Sequence, residues 1–258
     1  MILGIDIGNT QIVTGIFNKN GNILLNFRVS SDQYLTEDQY FSYLKNISDF
    51  NGIKIKNING IVITSVVPNL TTIMYYLSKK YFKIEPLIVS AELNLPITFA
   101  KDLENPKQLG ADRLVNIVQA HSIYPDKNLL VIDFGTATTF DIIQNKTYMG
   151  GAILPGINLS INALFQHTAK LPKIRFTETT SAIGKNTVEH INAGIYYGSI
   201  GQVKEIISQI NKEIPNLYVI TTGGLAEMIS KKVGKIQEFI PELTLKGLFT
   251  IYQYNQKS

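Results

Sequence analysis

The chain has 258 residues, 45% of them hydrophobic and 17% charged, which excludes a disordered protein and leaves room for about two compact domains or one large one. It has no cysteine, so a disulfide framework, a thiolate metal site and a cysteine nucleophile are ruled out, and a reducing cytoplasm is the expected setting. The net charge is +4, but the cations form no stripe. The densest clusters, Lys79-Lys80 with Lys83 and Lys231-Lys232, lack interleaved aromatic rings and read as solvated helix surface, so nucleic acid is not an expected partner. No apolar run reaches about 18 residues, so no membrane span is expected. The opening Met1-Ile2-Leu3-Gly4-Ile5-Asp6 carries an acid and no basic leader, which does not read as a signal peptide.

In chain order, Ile2 to Ile7 is a short apolar run ending at Gly8, the pattern of a buried strand that stops in a tight turn. The runs Ile12–Phe17 and Ile23–Val29 flank a turn containing Asn20-Gly21, which signals a hairpin. Thr36 to Phe50 places Tyr40, Phe41, Leu44 and Ile47 at helical spacing. A strand at Ile58–Thr64, a helix over about Leu70–Phe82 and a strand at Leu87–Ser90 complete a βββαβαβ order. The second half restarts the same way: a buried strand over Leu129–Phe134, then strands at Thr138–Ile143 and Thr147–Ile153 around a short polar turn. The order repeats, so the chain reads as an internal duplication, with the boundary near Ile123-Tyr124-Pro125-Asp126.

Five motifs carry candidate chemistry. Asp6-Ile7-Gly8-Asn9-Thr10 combines a strand-end carboxylate, able to hold Mg²⁺ through water, with a glycine turn whose backbone can approach a phosphate. Asp133-Phe134-Gly135-Thr136 repeats it with more hydroxyls, and two such turns facing across a cleft would grip a polyphosphate. Val219 to Ala226, with Gly223-Gly224 between a strand and a helix, is a plausible nucleotide floor or a plain strand-to-helix turn. Gly110-Ala111-Asp112-Arg113 opens a helix. It is either an N-terminal acid beside a surface Arg or a general base beside an anion-binding guanidinium. Arg113 is one of only three arginines, with Arg28 and Arg175, which draws attention to the second reading. Ile183-Gly184-Lys185-Asn186-Thr187 precedes another helix, where Asn and Thr also serve as caps. No P-loop or G-x-G-x-x-G is present, and His121, His167 and His190 lack metal-ligand spacing.

Together with Gly150-Gly151-Ala152-Ile153-Leu154-Pro155-Gly156, these motifs in this order resemble type III pantothenate kinase, a family of the acetate and sugar kinase, heat-shock cognate and actin superfamily. The resemblance runs from Asp6 to about Ala226. It implies an α/β fold of two ribonuclease-H-like lobes with a cleft between them. The expected N-terminal lobe is 1–123, and the expected C-terminal lobe is 124–258, with the second phosphate loop and the Gly-Gly adenosine element. It implies ATP-dependent phosphorylation of pantothenate, the first step of coenzyme A synthesis, in a cytoplasmic homodimer whose partner subunit helps to close the pantothenate pocket. The residues implied for ATP are Asp6, Ile7, Gly8, Asn9, Thr10, Gln11, Ile12, Val13 and Thr136. Asp133 matches the position that holds K⁺ or NH₄⁺. Gly110, Ala111, Asp112 and Arg113 match the pantothenate site, with Asp112 as proton acceptor, and Thr187 matches a further substrate contact. One position departs from the pattern. Where the family usually carries a Tyr nine residues before that Asp, this chain has Leu103, which offers apolar contact and no hydroxyl. The alternatives left by the residues are a kinase of the same superfamily with another acceptor, and a nucleotide-binding regulator of this fold without turnover.

Overall fold

The structure is a computed structural model that describes residues 1–256. The elements β1 (Ile2–Ile7), β2 (Gln11–Phe17), β3 (Ile23–Ser30), α1 (Glu37–Phe50), β4 (Gly60–Ser65), α2 (Pro68–Leu77), β5 (Leu87–Ile88), β6 (Thr98–Phe99) and α3 (Ala111–Ile123) come first. They are followed by β7 (Asn128–Phe134), β8 (Ala137–Gln144), β9 (Thr147–Pro155), α4 (Ile157–Gln166), α5 (Thr187–Glu213), β10 (Leu217–Thr222), α6 (Ala226–Val233), β11 (Glu238–Phe239) and α7 (Leu243–Gln256). They form two compact units, residues 1–123 with 242–256, and residues 124–241.

In the first unit the strands lie in the order β3-β2-β1-β4-β5. The hairpin strands β1, β2 and β3 run antiparallel, while β4 and β5 run parallel to β1. The period-2 alternation sends Leu3, Ile5 and Ile7 of β1 and Ile61 and Ile63 of β4 to one face, where they meet Tyr40 and Leu44 of α1 and Leu70, Met74 and Leu77 of α2. α1 starts at a capping box, with Thr36 and Gln39 exchanging side chain-to-backbone bonds. α2 starts two residues before the expected Leu70, with Pro68 in the first turn, and its last turn widens into a π-turn over Ser78–Phe82. Lys79 and Lys80 there are paired with Glu85, Glu37 and Asp38.

The opposite face of this sheet carries Gly4, Gly15 and Gly60, whose missing side chains leave a trough. α7 fills it: Leu248 lies against Gly4, Leu245 against Gly15 and Tyr252 against Gly60. α7 also packs on α3. Gly247 makes that contact possible, since a Cβ there would sit 2.4 Å from the Val115 carbonyl oxygen. Thr244 Oγ1 donates to Asn116 Oδ1 (2.8 Å) and Thr250 Oγ1 to Gln119 Oε1 (2.6 Å) across the same pair of helices. The expected C-terminal lobe of 124–258 is therefore corrected at its end. Leu243, Leu245, Leu248 and Ile251 are all buried, and they complete the first unit's core.

The second unit repeats the arrangement. Its strands follow the order β9-β8-β7-β10-β11, antiparallel across β7, β8 and β9 and parallel across β7, β10 and β11. Leu130, Ile132, Phe134, Phe140 and Ile142 form one face, covered by Tyr196, Ile200, Val203 and Ile207 of α5 and Ile229 of α6. The matching strand order and sense bear out the duplication and the mixed α/β class. Among the described residues no helix is long and apolar enough to cross a membrane.

Candidate active site

Asp6 is the penultimate residue of β1 and is half-buried, while Asn9, Thr10 and Gln11 of the following turn are exposed. The turn closes on itself, Gly8 N–H donating to the Gln11 carbonyl at 3.0 Å, and the ladder then resumes with Ile7 opposite Ile12 and Asp6 opposite Val13. Its brace comes from a residue the sequence does not single out. Ser31, just past β3, donates its N–H to the Thr10 carbonyl (3.1 Å) and its Oγ to the Gly8 carbonyl (2.6 Å). Ser31 is in turn bracketed by Tyr40 of α1. The phenol accepts the Asp32 N–H at 2.9 Å and can donate to the Asp32 carbonyl at 2.9 Å or the Ser30 carbonyl at 3.3 Å. Burial pushes the Tyr40 phenol up, so it stays a donor at any physiological pH. A chain of short bonds thus runs from the helix core to the glycine turn. No spacing rule reveals it, because its members come from three elements.

The same unit carries Gly110, Ala111, Asp112 and Arg113 at the start of α3. Gly110 contributes its carbonyl to the first helical bond, accepting from Leu114 N–H at 3.0 Å. Asp112 stands in the first turn, half-buried, with Oδ1 accepting the Arg113 backbone N–H at 2.8 Å. That bond fixes the carboxylate's rotamer at a helix end where the backbone dipole favours negative charge. From Leu114 to His121 the helix is buried, so its head is anchored by its body. Leu103 is half-buried in the approach to this helix, its N–H donating to the Ala100 carbonyl at 3.1 Å.

In the second unit, Asp133 is the penultimate residue of β7 and is half-buried, as Asp6 is in β1. Gly135 and Thr136 are exposed. Two glycines press on this turn. Gly156 donates its N–H to the Thr136 carbonyl at 3.1 Å, and a Cβ on it would lie 2.2 Å from that oxygen and 2.5 Å from the Gly135 carbonyl oxygen. This gives the Gly150 to Gly156 motif a structural reason at its last position. Gly223, after β10, has φ +96°, and a Cβ there would lie 2.5 Å from Asp133 Oδ1 and 2.7 Å from the Phe134 backbone. Only glycine permits both that conformation and that approach. Thr187 is the first residue of α5 and is exposed. Asn186 caps the helix, its side chain accepting the Glu189 N–H at 3.0 Å, and Glu189 reaches back to Lys185 N–H at 2.7 Å. Asp6 to Val13 and Gly110 to Arg113 therefore belong to one unit, and Asp133, Thr136 and Thr187 to the other.

Among the described residues no group of three or more His, Cys, Asp and Glu could form a metal cage. A half-buried carboxylate beside an exposed turn, as at Asp6, is a donor type suited to Mg²⁺, which keeps several waters and shares the oxygens of a bound phosphate.

The model of the family described as type III pantothenate kinase matches residues 2–209. A curated protein of Fusobacterium nucleatum subsp. nucleatum named type III pantothenate kinase is 48% identical over 257 residues, 99% of this chain and 100% of that one. Among solved structures, a candidate Baf family transcriptional activator of Campylobacter jejuni superposes with a TM-score of 0.60 at 19% identity, covering 99% of this chain and 100% of that one. A candidate 2-dehydro-3-deoxygalactonokinase of Sinorhizobium meliloti superposes with a TM-score of 0.62 at 9% identity, covering 98% of each. At such identities these two structures show the fold alone.

Proposed function

The chain belongs to the type III pantothenate kinase family, and from that premise we propose how its residues divide the reaction. The protein phosphorylates pantothenate with ATP, opening coenzyme A biosynthesis, and uses a divalent metal with the nucleotide. In the proposed scheme the turn from Asp6 to Val13 receives the phosphates of ATP, and Thr136 contacts ATP from the second turn. Asp6 would hold Mg²⁺ through its waters, and Asp133 would hold K⁺ or NH₄⁺. These cations supply charge neutralisation at the phosphates.

Gly110, Ala111, Asp112 and Arg113 bind pantothenate, with Thr187 as a further contact. Asp112 accepts the proton of the primary hydroxyl, whose oxygen attacks the γ-phosphorus in line as the bond to the bridging oxygen of ADP breaks. Arg113 binds the anionic or amide end of the acceptor. Phosphoryl transfer asks little covalent chemistry of a protein, so positioning is most of the task. The observation that carries the assignment is the fixed Asp112 carboxylate, held by the Arg113 amide at the head of a helix whose body is buried. The active form in this proposal is a homodimer.

The test is a coupled ADP-release assay with ATP, Mg²⁺, K⁺ and pantothenate. Asp112→Asn lowers kcat by about 10²–10⁴-fold while nucleotide affinity and melting temperature stay near wild type. Near-normal turnover in that variant removes Asp112 from the role of base.

A further inference from the structure

Native proteins pair nearly all buried polar atoms, and each exception asks for an explanation. Among the described residues, three fully buried side-chain hydroxyls have no hydrogen-bond partner: Ser48 in α1, Thr64 in β4 and Thr139 in β8. Two of the three neighbour a strand-end acid, on strands that the duplication does not relate: Thr64 on the parallel side of its acid and Thr139 on the antiparallel side of its own. Thr64 is 0% exposed and stands directly beside Asp6 in the parallel β1–β4 register. Thr139 is 9% exposed and stands directly opposite Asp133 in the antiparallel β7–β8 register.

The strand period fixes the direction of these side chains. Ile5, Ile7, Ile61 and Ile63 face the α1 and α2 core, so Asp6 and Thr64 share the other face. In the second unit Ile132, Phe134, Phe140 and Ile142 face α5 and α6, so Asp133 and Thr139 share the opposite one. Residues adjacent across a ladder are about 4.5–5.5 Å apart, a spacing that lets a threonine hydroxyl and a neighbouring carboxylate on the same face bond. Packing does not explain threonine at either place. Valine has the same shape, and a buried hydroxyl without a partner is destabilising.

We propose that Thr64 and Thr139 are positioning residues. Each holds a hydroxyl in reserve that donates to the neighbouring acid, Asp6 or Asp133, when that acid engages its cation and the nucleotide phosphates. This rests on the cation roles assigned above to the two acids. A hydroxyl bonded to one carboxylate oxygen turns the other toward the ligand, and such charge-assisted bonds are short and strong. The arrangement gives each strand-end acid an adjacent buried hydroxyl that has no other hydrogen-bond partner among the described residues.

The test compares Thr64→Val, Thr64→Ser, Thr139→Val and Thr139→Ser, with Ser48→Ala as a buried hydroxyl away from both acids. Ligand-free melting is measured first. Binding of a non-hydrolysable ATP analogue is then titrated by calorimetry over a range of Mg²⁺ and of K⁺, without pantothenate. Thr64→Val is expected to melt at or above the wild-type temperature and to need roughly tenfold more Mg²⁺ for half-saturation. Thr139→Val does the same for K⁺. The serine variants restore both dependences, and Ser48→Ala changes neither. Valine variants with unaltered cation dependence overturn the proposal. Valine variants that lose ligand-free stability without changing cation dependence also overturn it, because the hydroxyls are then structural. A protein that binds the analogue as expected but does not phosphorylate pantothenate fails the acceptor assignment and leaves this inference standing.

Discussion

Replacing Gly156 with Ala tests whether the second turn is held by contact rather than by chain conformation. Gly156 has φ −67° and ψ 161°, values open to any residue, so the substitution adds no backbone strain. What it adds is a methyl carbon 2.2 Å from the Thr136 carbonyl oxygen and 2.5 Å from the Gly135 carbonyl oxygen, over an ångström inside ordinary contact. Both neighbours are backbone, so neither can swing aside as a side chain would. The turn must move, which weakens the Gly156 N–H bond to Thr136 as well. Overpacking costs about 1–3 kcal/mol and the weakened bond about 0.5–1.5 kcal/mol. At roughly 2–4 °C per kcal/mol for a chain of this size, Tm falls by about 3–18 °C. The same displacement shifts Thr136, so KM for ATP rises. The control is Gly201→Ala, in the exposed interior of α5 with nothing within 4 Å of the added carbon. There the usual helix gain of about 0.5–1 kcal/mol raises Tm slightly. Differential scanning fluorimetry and the ATP dependence of ADP release read out both variants. If Gly156→Ala melts with wild type and keeps its KM, or if the two variants fall together, the steric reasoning is wrong.

Leu103→Tyr restores the hydroxyl that the family usually places there and is expected to lower KM for pantothenate by about 2–10-fold with little change in kcat, worth one hydrogen bond. An unchanged KM shows that the hydroxyl has no work at this position. Removal of residues 242–258 exposes the seats of Leu243, Leu245, Leu248 and Ile251, at about 1.5–3 kcal/mol each. That sum is comparable with the whole stability of an ordinary domain, so the truncated chain is expected to lose its cooperative melting transition. A truncated chain that melts like wild type refutes the placement of α7. Burial, followed by the bond from its hydroxyl to Glu178 Oε1 at 3.0 Å, pushes the Tyr196 phenol from 10.0 up to about 12. The fold thus favours the protonated form. Its contribution is complete below pH 10 and is lost as pH rises toward about 12. Wild type should lose Tm more steeply over that interval than Tyr196→Phe, and equal slopes would contradict the assignment.

Local pattern carries much of this fold because its strands are short, buried and punctuated by glycine. The run Ile2 to Ile7 before Gly8, and its echo from Leu129 to Phe134 before Gly135, are legible as strand ends bearing acids. The hairpin after each one makes the duplication visible without coordinates. The head of α3 is equally legible, since an acid in a first turn ahead of an apolar helical stripe is a local signal. Arg113, one of three arginines in the chain, stands beside Asp112 and marks it for attention.

What one strand or helix cannot state is which partner it will find. α7 is not among the elements read from the sequence, and the trough left by Gly4, Gly15 and Gly60 assigns that helix to the first unit. Ser31 and Tyr40 are unremarkable in the sequence until β3 and α1 bring their bonds to the turn at Gly8. The hydroxyls of Thr64 and Thr139 gain meaning only from the register that sets each beside an acid. The sequence by itself determined the strand, hairpin and acidic turn that open each half and the helix that presents Asp112, because those depend on spacing along the chain. The tertiary structure decided where the last helix packs, what braces the first turn and which buried hydroxyls stand beside the strand-end acids, because those depend on residues far apart in sequence meeting across a sheet.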